Sequence, residues 1–328
     1  MKNILITGSA GFIGFHLSNF YLKKGYNVFG IDNLNNNYDP RIKKWRNLNL
    51  LENKNFHFDK VDISSPNQLS KYFEKNFKRR KLNAVFNLAA GTGVRKSTLN
   101  PKRYYESNVM GTLNLVSLAK TYSASSFVHA STSSVYGNSK EKDFMIGSET
   151  SKPLSNYAAS KKASEVLLHA YYNLYKQNIS ILRFFTVYGP AGRPDMSPFI
   201  FIQAAINSNK INLFGTGNQK RDFTYIDDIV KGISKAKNLK GLNYLNLGNN
   251  NPVSINYLIE TINQTSGSHL KIDKKSSTPE DVFYTSANIR MTKKLIGWEP
   301  KINIDEGISK TFAWHKVNMR WLKKIQNS

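Results

Sequence analysis

The sequence predicts an α/β protein built on a doubly wound parallel sheet, with a smaller C-terminal lobe, on three observations. Short apolar runs alternate with segments of helical spacing through the first half. A glycine-rich turn, Gly8-Ser9-Ala10-Gly11-Phe12-Ile13-Gly14, follows the first run directly and opens the first helical segment. A carboxylate, Asp32, ends the second run. Alternating strand and helix patterns are the mark of βαβ units and hence of a parallel sheet. At 328 residues, 40% of them hydrophobic, the chain can bury one large α/β core or a cofactor domain plus a lobe.

Taken in order, the pattern predicts strands over Asn3–Thr7, Asn27–Ile31, Phe56–Val61, Ala84–Asn87, Phe127–Ala130 and Ser180–Phe184. Helices are expected between them over Phe12–Lys24, Gln68–Phe77, Arg103–Tyr122 and Asn156–Lys176. After about Pro190 the pattern breaks into pieces punctuated by Gly and Asn, including Phe214–Gly217, Gly248–Pro252 and Gly297–Pro300. Residues 1–188 therefore read as a Rossmann-type nucleotide-binding domain and 189–328 mainly as a substrate-binding lobe, with interleaving of the two left open.

Glycines at 8, 11 and 14 let the backbone turn tightly and approach a pyrophosphate, whose charge is favoured by the N–H groups opening the helix. Phe12 and Ile13 complete that turn. Asp32, about 20 residues on, is placed to accept hydrogen bonds from a ribose 2′-hydroxyl, with Asn33 beside it. A 2′-phosphate would be repelled there, so NAD is expected rather than NADP. A second acidic turn, Val61-Asp62-Ile63, is placed to reach the adenine.

Composition bounds the chemistry. Without cysteine there is no disulfide or thiolate site, and the six histidines form no ligand-spaced cluster, so no metal is expected. No run approaches the roughly 20 apolar residues of a membrane span, and the start shows no signal-peptide pattern; the chain reads as cytoplasmic with no membrane partner. Lys+Arg 47 against Asp+Glu 22 gives +25. The lysines are dispersed and accompanied by asparagines, as in Asn33–Asn37, and no nucleic-acid motif goes with them, so compositional bias is the better reading and no nucleic-acid partner is expected.

Two segments carry catalytic residue types. Tyr157-Ala158-Ala159-Ser160-Lys161 opens a helix, and a spacing of four puts phenol and ammonium on one face. A nearby cation favours phenolate, so a group ordinarily titrating near pH 10 can serve as a base. Ala130-Ser131-Thr132-Ser133-Ser134-Val135-Tyr136-Gly137 follows the fifth strand at its C-terminal edge, where doubly wound sheets place ligands. Thr132 can there share a substrate hydroxyl's proton.

With Gly8–Gly14, Asn87-Leu88-Ala89-Ala90, Thr132 and the Tyr157/Lys161 pair, essentially the whole chain resembles the extended short-chain dehydrogenase/reductase family. The resemblance implies that Tyr157 takes a sugar hydroxyl's proton with help from Thr132 and Lys161, that NAD is recycled, that Leu88, Ala89 and Ala90 line its site, and that the chain forms a homodimer through the helices at 103–122 and 156–176. Dehydratases of the family carry an Asp-Glu pair, and decarboxylases a Glu, where this sequence has Ser133-Ser134; both branches are disfavoured. The segments Gly93–Ser97, Gly30–Asn35 and Arg183–Met196 resemble those of the family's UDP-glucuronate 4-epimerases, which implies a UDP-sugar substrate. Ala191 departs from the bulkier residue usual there.

Oxidising a glucuronate at C4 makes a β-keto acid that loses CO₂ when its C5–C6 bond aligns with the carbonyl. Arg193, bidentate where geometry permits, with Thr186 as a second donor, is therefore expected to hold the carboxylate out of alignment. Arg221 is expected at the diphosphate, with a structural contact to Asp222 as its bland alternative. Arg95 is expected to face the substrate with its partner unassigned, Ser133 and Ser134 are expected beside the substrate with Thr132, and Asp281 is placed near the nucleotide sugar by resemblance alone. The competing readings are a 4-epimerase of another UDP-hexose or an N-acetylated uronate, a decarboxylase, and a non-catalytic NAD-binding scaffold, against which the intact Thr132, Tyr157 and Lys161 count.

Overall fold

The computed structural model describes residues 2–139, 141–276 and 282–325. Thirteen strands occur among them. In chain order these are β1 Asn3–Thr7, β2 Asn27–Asp32, β3 Phe56–Lys60, β4 Leu82–Asn87, β5 Phe127–Thr132, β6 Ile179–Phe184, β7 Thr186–Tyr188, β8 Lys210–Phe214, β9 Lys220–Arg221, β10 Phe223–Tyr225, β11 Leu242–Leu247, β12 Val253–Ser254 and β13 Lys271–Lys275. Seven form one parallel sheet in the order β11-β6-β5-β4-β1-β2-β3, so the direction of winding reverses between β1 and β4, the crevice where doubly wound sheets hold ligands. The sheet draws its outermost strand on one side, β11, from the second part of the chain.

Alternation along β1 sorts its side chains onto two cores. Ile4 and Ile6 join a cluster with Phe12, Phe15, Leu17 and Phe86, whereas Leu5 joins Phe29, Ile31, Phe73 and Val85 on the opposite face. Both faces are covered by helices, and this is why the strands read as continuous apolar runs. The first cluster also takes in Ile202, Phe223, Ile229, Ile233, Leu258 and Ile308, so the C-terminal part packs on the same core. Each such side chain taken fully out of water contributes roughly 1.5–3 kcal/mol.

Three features depart from the sequence expectations. Pro40–Leu51 is helical, capped by the Asp39 carboxylate on Arg41 N with Pro40 in the first turn. Its buried face is Ile42, Lys43, Arg46, Asn47 and Leu50, so the periodicity of apolar residues alone does not reveal it. The expected helix over Arg103–Tyr122 is two α-helical pieces, Pro101–Tyr105 and Gly111–Thr121, joined by a π turn at Glu106–Met110. Third, the asparagine run after β2 is a ladder of side-chain-to-backbone bonds: Asp32 Oδ1 accepts from Leu34 N (2.7 Å), Asn33 Oδ1 from Asn35 N (3.1 Å) and Asn35 Oδ1 from Asn37 N (3.1 Å). Short amides suit such turns because they bond their own backbone two residues on. No helix among the described residues is long and apolar enough to cross a membrane.

Candidate active site

The C-terminal ends of β1, β2, β4, β5 and β6 open into one cavity. Gly8, Gly11, Phe12, Ile13 and Gly14 form its floor. Close packing dictates these glycines: a Cβ on Gly14 would stand 2.1 Å from the Gly8 carbonyl oxygen, and one on Gly8, whose φ is +67°, 2.9 Å from Ala89 N. Thr7 anchors the same junction by accepting from Leu88 N (3.2 Å) and Ala89 N (3.0 Å). Leu88, Ala89 and Ala90 line the opposite wall, while Asp32, Asn33, Asp62 and Ile63 line the end beyond β2. Asn33 Nδ2 donates to Asp62 Oδ2 at 2.8 Å. Burial opposes ionisation of Asp62, but bonds from Ser64 and Asn33 outweigh it and hold the carboxyl below its ordinary value. A bare glycine cradle at a helix N-terminus and a buried carboxylate at the end of β2 together fit a dinucleotide with an unmodified ribose.

At the other end Thr132, Tyr157, Lys161 and Arg193 share the wall with Phe184, Phe185, Val187 and Met196. Ser155 caps the helix Asn156–Tyr175 that carries both Tyr157 and Lys161. Lys161 lines the same cavity as Tyr157. Its buried ammonium donates to Ala130 O at 2.5 Å, because a cation out of water must place its protons on an acceptor, and burial lowers its pKa to about 8 against the pull of Glu165. Desolvation by the wall pushes the Tyr157 phenol up, with hydrogen bonding from Thr132 and the charge of Arg193 acting the other way. Arg193 is thus a second cation near the phenol, besides the Lys161 that shares its helix.

Arg193 is already engaged. Its Nε and Nη2 form a side-on fork on the Asp195 carboxylate at 3.0 and 2.6 Å, which leaves the end-on pair of donors, Nη1 and the second hydrogen of Nη2, as a bidentate face. The other residues expected at the substrate do not line this cavity. Ser133 and Ser134 stand in the 3-10 turn after β5, with Ser134 N on Thr132 Oγ1 at 3.2 Å. Thr186 opens β7, its backbone N–H on Asp222 O. The exposed Arg95 places its guanidinium 4.2 Å from the Phe214 ring centre, and Arg221 Nη1 donates to Lys220 O. Asp222 accepts from the backbone of Asn249, Asn250 and Ala287 instead of pairing with Arg221. Asp281 lies outside the described residues.

Several contributors were not foreseen. Asn35, Asn37, Tyr38 and Lys43 line the cavity, and Lys43 Nζ, almost fully buried, reaches Asn35 Oδ1 at 2.9 Å and Asp32 Oδ1 at 4.0 Å. The Asp39-Pro40 pair, a capping residue before a first-turn proline, was the signal for the helix that brings Lys43 here. Asn108, in the π turn, donates to Ser160 Oγ (2.9 Å) and exchanges bonds with Gly91 N and O (2.7 and 3.2 Å), tying the cavity's wall to the helix bearing Tyr157. Such single-turn π segments gather at functional sites.

Residues 5–311 match the family described as GDP-mannose 4,6 dehydratase. The chain is 44% identical over 327 residues to a UDP-glucuronate 4-epimerase of Thermodesulfobacterium geofontis, covering 99% of this chain and all of that one. It is 36% identical to UDP-glucuronate 4-epimerase 4 of Arabidopsis thaliana over 95% of this chain and 75% of the other. Among solved structures, UDP-glucuronic acid 4-epimerase from Bacillus cereus in complex with UDP-glucuronic acid and NAD is similar with a TM-score of 0.89 and 33% identity, over 96% of this chain and 99% of that one. A glycine cradle, an acid ending β2 and a Thr-Tyr-Lys group on one wall, with relatives matched end to end, establish that this chain belongs to the NAD-dependent epimerase/dehydratase family of extended short-chain dehydrogenases/reductases.

Proposed function

We propose that this protein is an isomerase that converts UDP-glucuronate to UDP-galacturonate by epimerisation at C4 through a 4-keto sugar, with NAD bound and recycled. The observation that carries the reading is the convergence of Thr132, Tyr157 and Arg193 on one wall, beside the dinucleotide cradle. Relatives that share the whole length are named for this reaction, and the two serines at 133 and 134 offer neither the acid nor the base that eliminating water requires.

In this reading Gly8, Gly11, Phe12, Ile13 and Gly14 hold the pyrophosphate, Asp32, Asn33, Asp62 and Ile63 the adenosine, and Leu88, Ala89 and Ala90 the face opposite the sugar. NAD held by these residues would supply the hydride acceptor and donor that a reversible oxidation at C4 requires. Tyr157 removes the 4-hydroxyl proton and gives it back after the turn. Thr132 donates to the phenol's oxygen and so steadies the phenolate. Lys161, held on Ala130 O, adds buried positive charge that favours the same anion. Arg193 holds the sugar carboxylate through its end-on Nη1/Nη2 pair, with Asp195 fixing the guanidinium plane and Thr186 as the second donor. Arg221, Arg95, Ser133, Ser134 and Asp281 belong to the nucleotide-sugar side by resemblance to the family. A homodimer accords with the exposed Tyr105, Met110, Val166, Leu174 and Tyr175 on the two helical segments expected to pair; light scattering reads twice the mass of 37.3 kDa if so, and the single mass if not.

Incubation of the purified protein with UDP-glucuronate, without added reductant, tests the function. A product of unchanged mass co-migrating with UDP-galacturonate supports it; a product lighter by CO₂ makes the protein a decarboxylase; unchanged UDP-glucuronate alongside turnover of UDP-glucose overturns the substrate. Arg193→Ala is expected to raise the ratio of decarboxylated to epimerised product about tenfold or more, since one charge-assisted hydrogen bond is worth roughly 1.5–3 kcal/mol. An unchanged ratio removes Arg193 from the carboxylate.

A further inference from the structure

The largest fully buried side chain among the described residues is a cation, Arg46, on the helix Pro40–Leu51. All five of its N–H donors are used: Nε and Nη2 on Ala191 O (3.1 and 2.7 Å), Nη2 on Gly192 O (2.8 Å), and Nη1 on Ala10 O (3.1 Å) and Tyr38 Oη (2.9 Å). These acceptors are carbonyl and hydroxyl oxygens, and no ion pair to a carboxylate accompanies them among the described residues. A buried guanidinium without a counter-ion carries a large desolvation cost, which dipoles offset only in part.

The place of these oxygens gives the residue its meaning. Ala10 lies inside the glycine cradle. Ala191 and Gly192 lie immediately before Arg193, and Ala191 holds a left-handed backbone, φ +51°, that a non-glycine residue keeps only where its surroundings enforce it. His16, on the helix opened by the cradle, bonds the Pro190 carbonyl at 2.9 Å, so three successive carbonyls of the loop are held from the dinucleotide side of the cavity. Burial lowers His16 to about pH 4, and Arg46 adds to that shift, so His16 is neutral and Arg46 is the charge at this junction.

We infer that Arg46 is a positioning residue that fastens the Arg193 loop to the glycine cradle, and that the phosphates of the bound dinucleotide balance its charge. The inference rests on the cofactor reading given above. Arg46 touches neither ligand: its donors are consumed, and only its field, weakly screened behind the cradle, reaches an anion there. Cofactor occupancy and the placement of the sugar's arginine are thereby linked through one side chain.

Two substitutions separate charge from fork. Arg46→Met removes both, and Arg46→Lys keeps the charge but cannot span three carbonyls. NAD affinity, titrated by calorimetry on protein stripped of cofactor, is expected to fall about tenfold or more in Arg46→Met and to stay within about threefold in Arg46→Lys, a difference of one lost long-range charge. In Arg46→Lys the KM for UDP-glucuronate is expected to rise about tenfold, since a loop shift near 1 Å is enough to misplace Arg193. Wild-type KM in Arg46→Lys overturns the positioning role. Wild-type NAD affinity in Arg46→Met, or in Arg46→Lys a loss of NAD affinity of about tenfold or more, overturns the charge role. Should Arg46→Met not fold, Arg46→Gln, which removes the charge but keeps polar donors for the carbonyls, takes its place in the NAD titration with the same expected and overturning results. Failure of the wild-type protein itself to bind NAD overturns the cofactor reading and the charge-balancing role together, while leaving the KM test standing.

Discussion

Tyr157→Phe is expected to lower turnover of UDP-glucuronate by about 10³-fold or more, at the upper part of what a positioned acid–base group supplies, while NAD binding stays near the wild-type level. The substitution removes one oxygen and leaves the ring in the cavity wall. Thr132 can hydrogen-bond a substrate hydroxyl, but its own hydroxyl ionises too weakly to take the proton, and the Lys161 ammonium has no lone pair with which to take it. Since the wall raises the phenol's pKa, the wild-type rate is expected to increase with pH through the neutral range, as more phenolate forms. Loss of turnover with the pH dependence of residual activity abolished supports the assignment. A rate within a few-fold of wild type removes Tyr157 as the base.

Glu165→Ala is expected to lower stability by about 3–5 kcal/mol, because it leaves an arginine buried without its anion. Glu165 is fully buried on the helix that bears Tyr157, and Arg183 of β6 forks onto it at 2.9 and 2.8 Å. Ser131 Oγ donates to the same carboxylate at 2.6 Å, one residue before Thr132. Arg183 Nη1 goes on to Tyr136 Oη at 3.0 Å, which donates to Asn246 of β11 at 2.7 Å. The network therefore spans helix, sheet and the strand contributed late in the chain. Thermal unfolding is expected to shift down by roughly 10 °C, and the double variant Glu165→Ala/Arg183→Met is expected to recover part of it, since the stranded charge is gone. A loss under about 1 kcal/mol would place the pair among those that contribute nothing measurable.

What could be read from sequence was what is local. The glycine cradle, Asp32 and the Tyr157/Lys161 spacing each announce themselves within a few residues, because backbone clearance, strand ends and helical period are short-range demands. All the residues expected at the dinucleotide line the cavity. Arg46, Lys43 and His16 were not legible, since each acts across a junction between elements distant in sequence, and the helix carrying two of them buries a polar face. The four-residue spacing told which face Tyr157 and Lys161 share; it did not tell that the ammonium donates to Ala130 O, because burial decides which acceptor a cation takes. The asparagines read as compositional bias proved to hold the turn that leads from Asp32 to the helix of Lys43 and Arg46. The π turn at Glu106–Met110 has no signature in the spacing of apolar residues, so a single long helix was expected there.

The sheet's dependence on β11 has a consequence for how the protein is made. During synthesis β6, all six of whose residues end up buried, emerges with one edge unpaired, and its partner is complete only after the roughly sixty residues that separate Phe184 from Leu247. At about 5–20 residues per second that edge stays open on the ribosome for roughly 3–13 s. An apolar edge exposed for that long is a template for pairing with another nascent chain. Yield of folded protein should therefore depend on translation rate and on crowding of ribosomes along the message, more than on the stability of the finished fold.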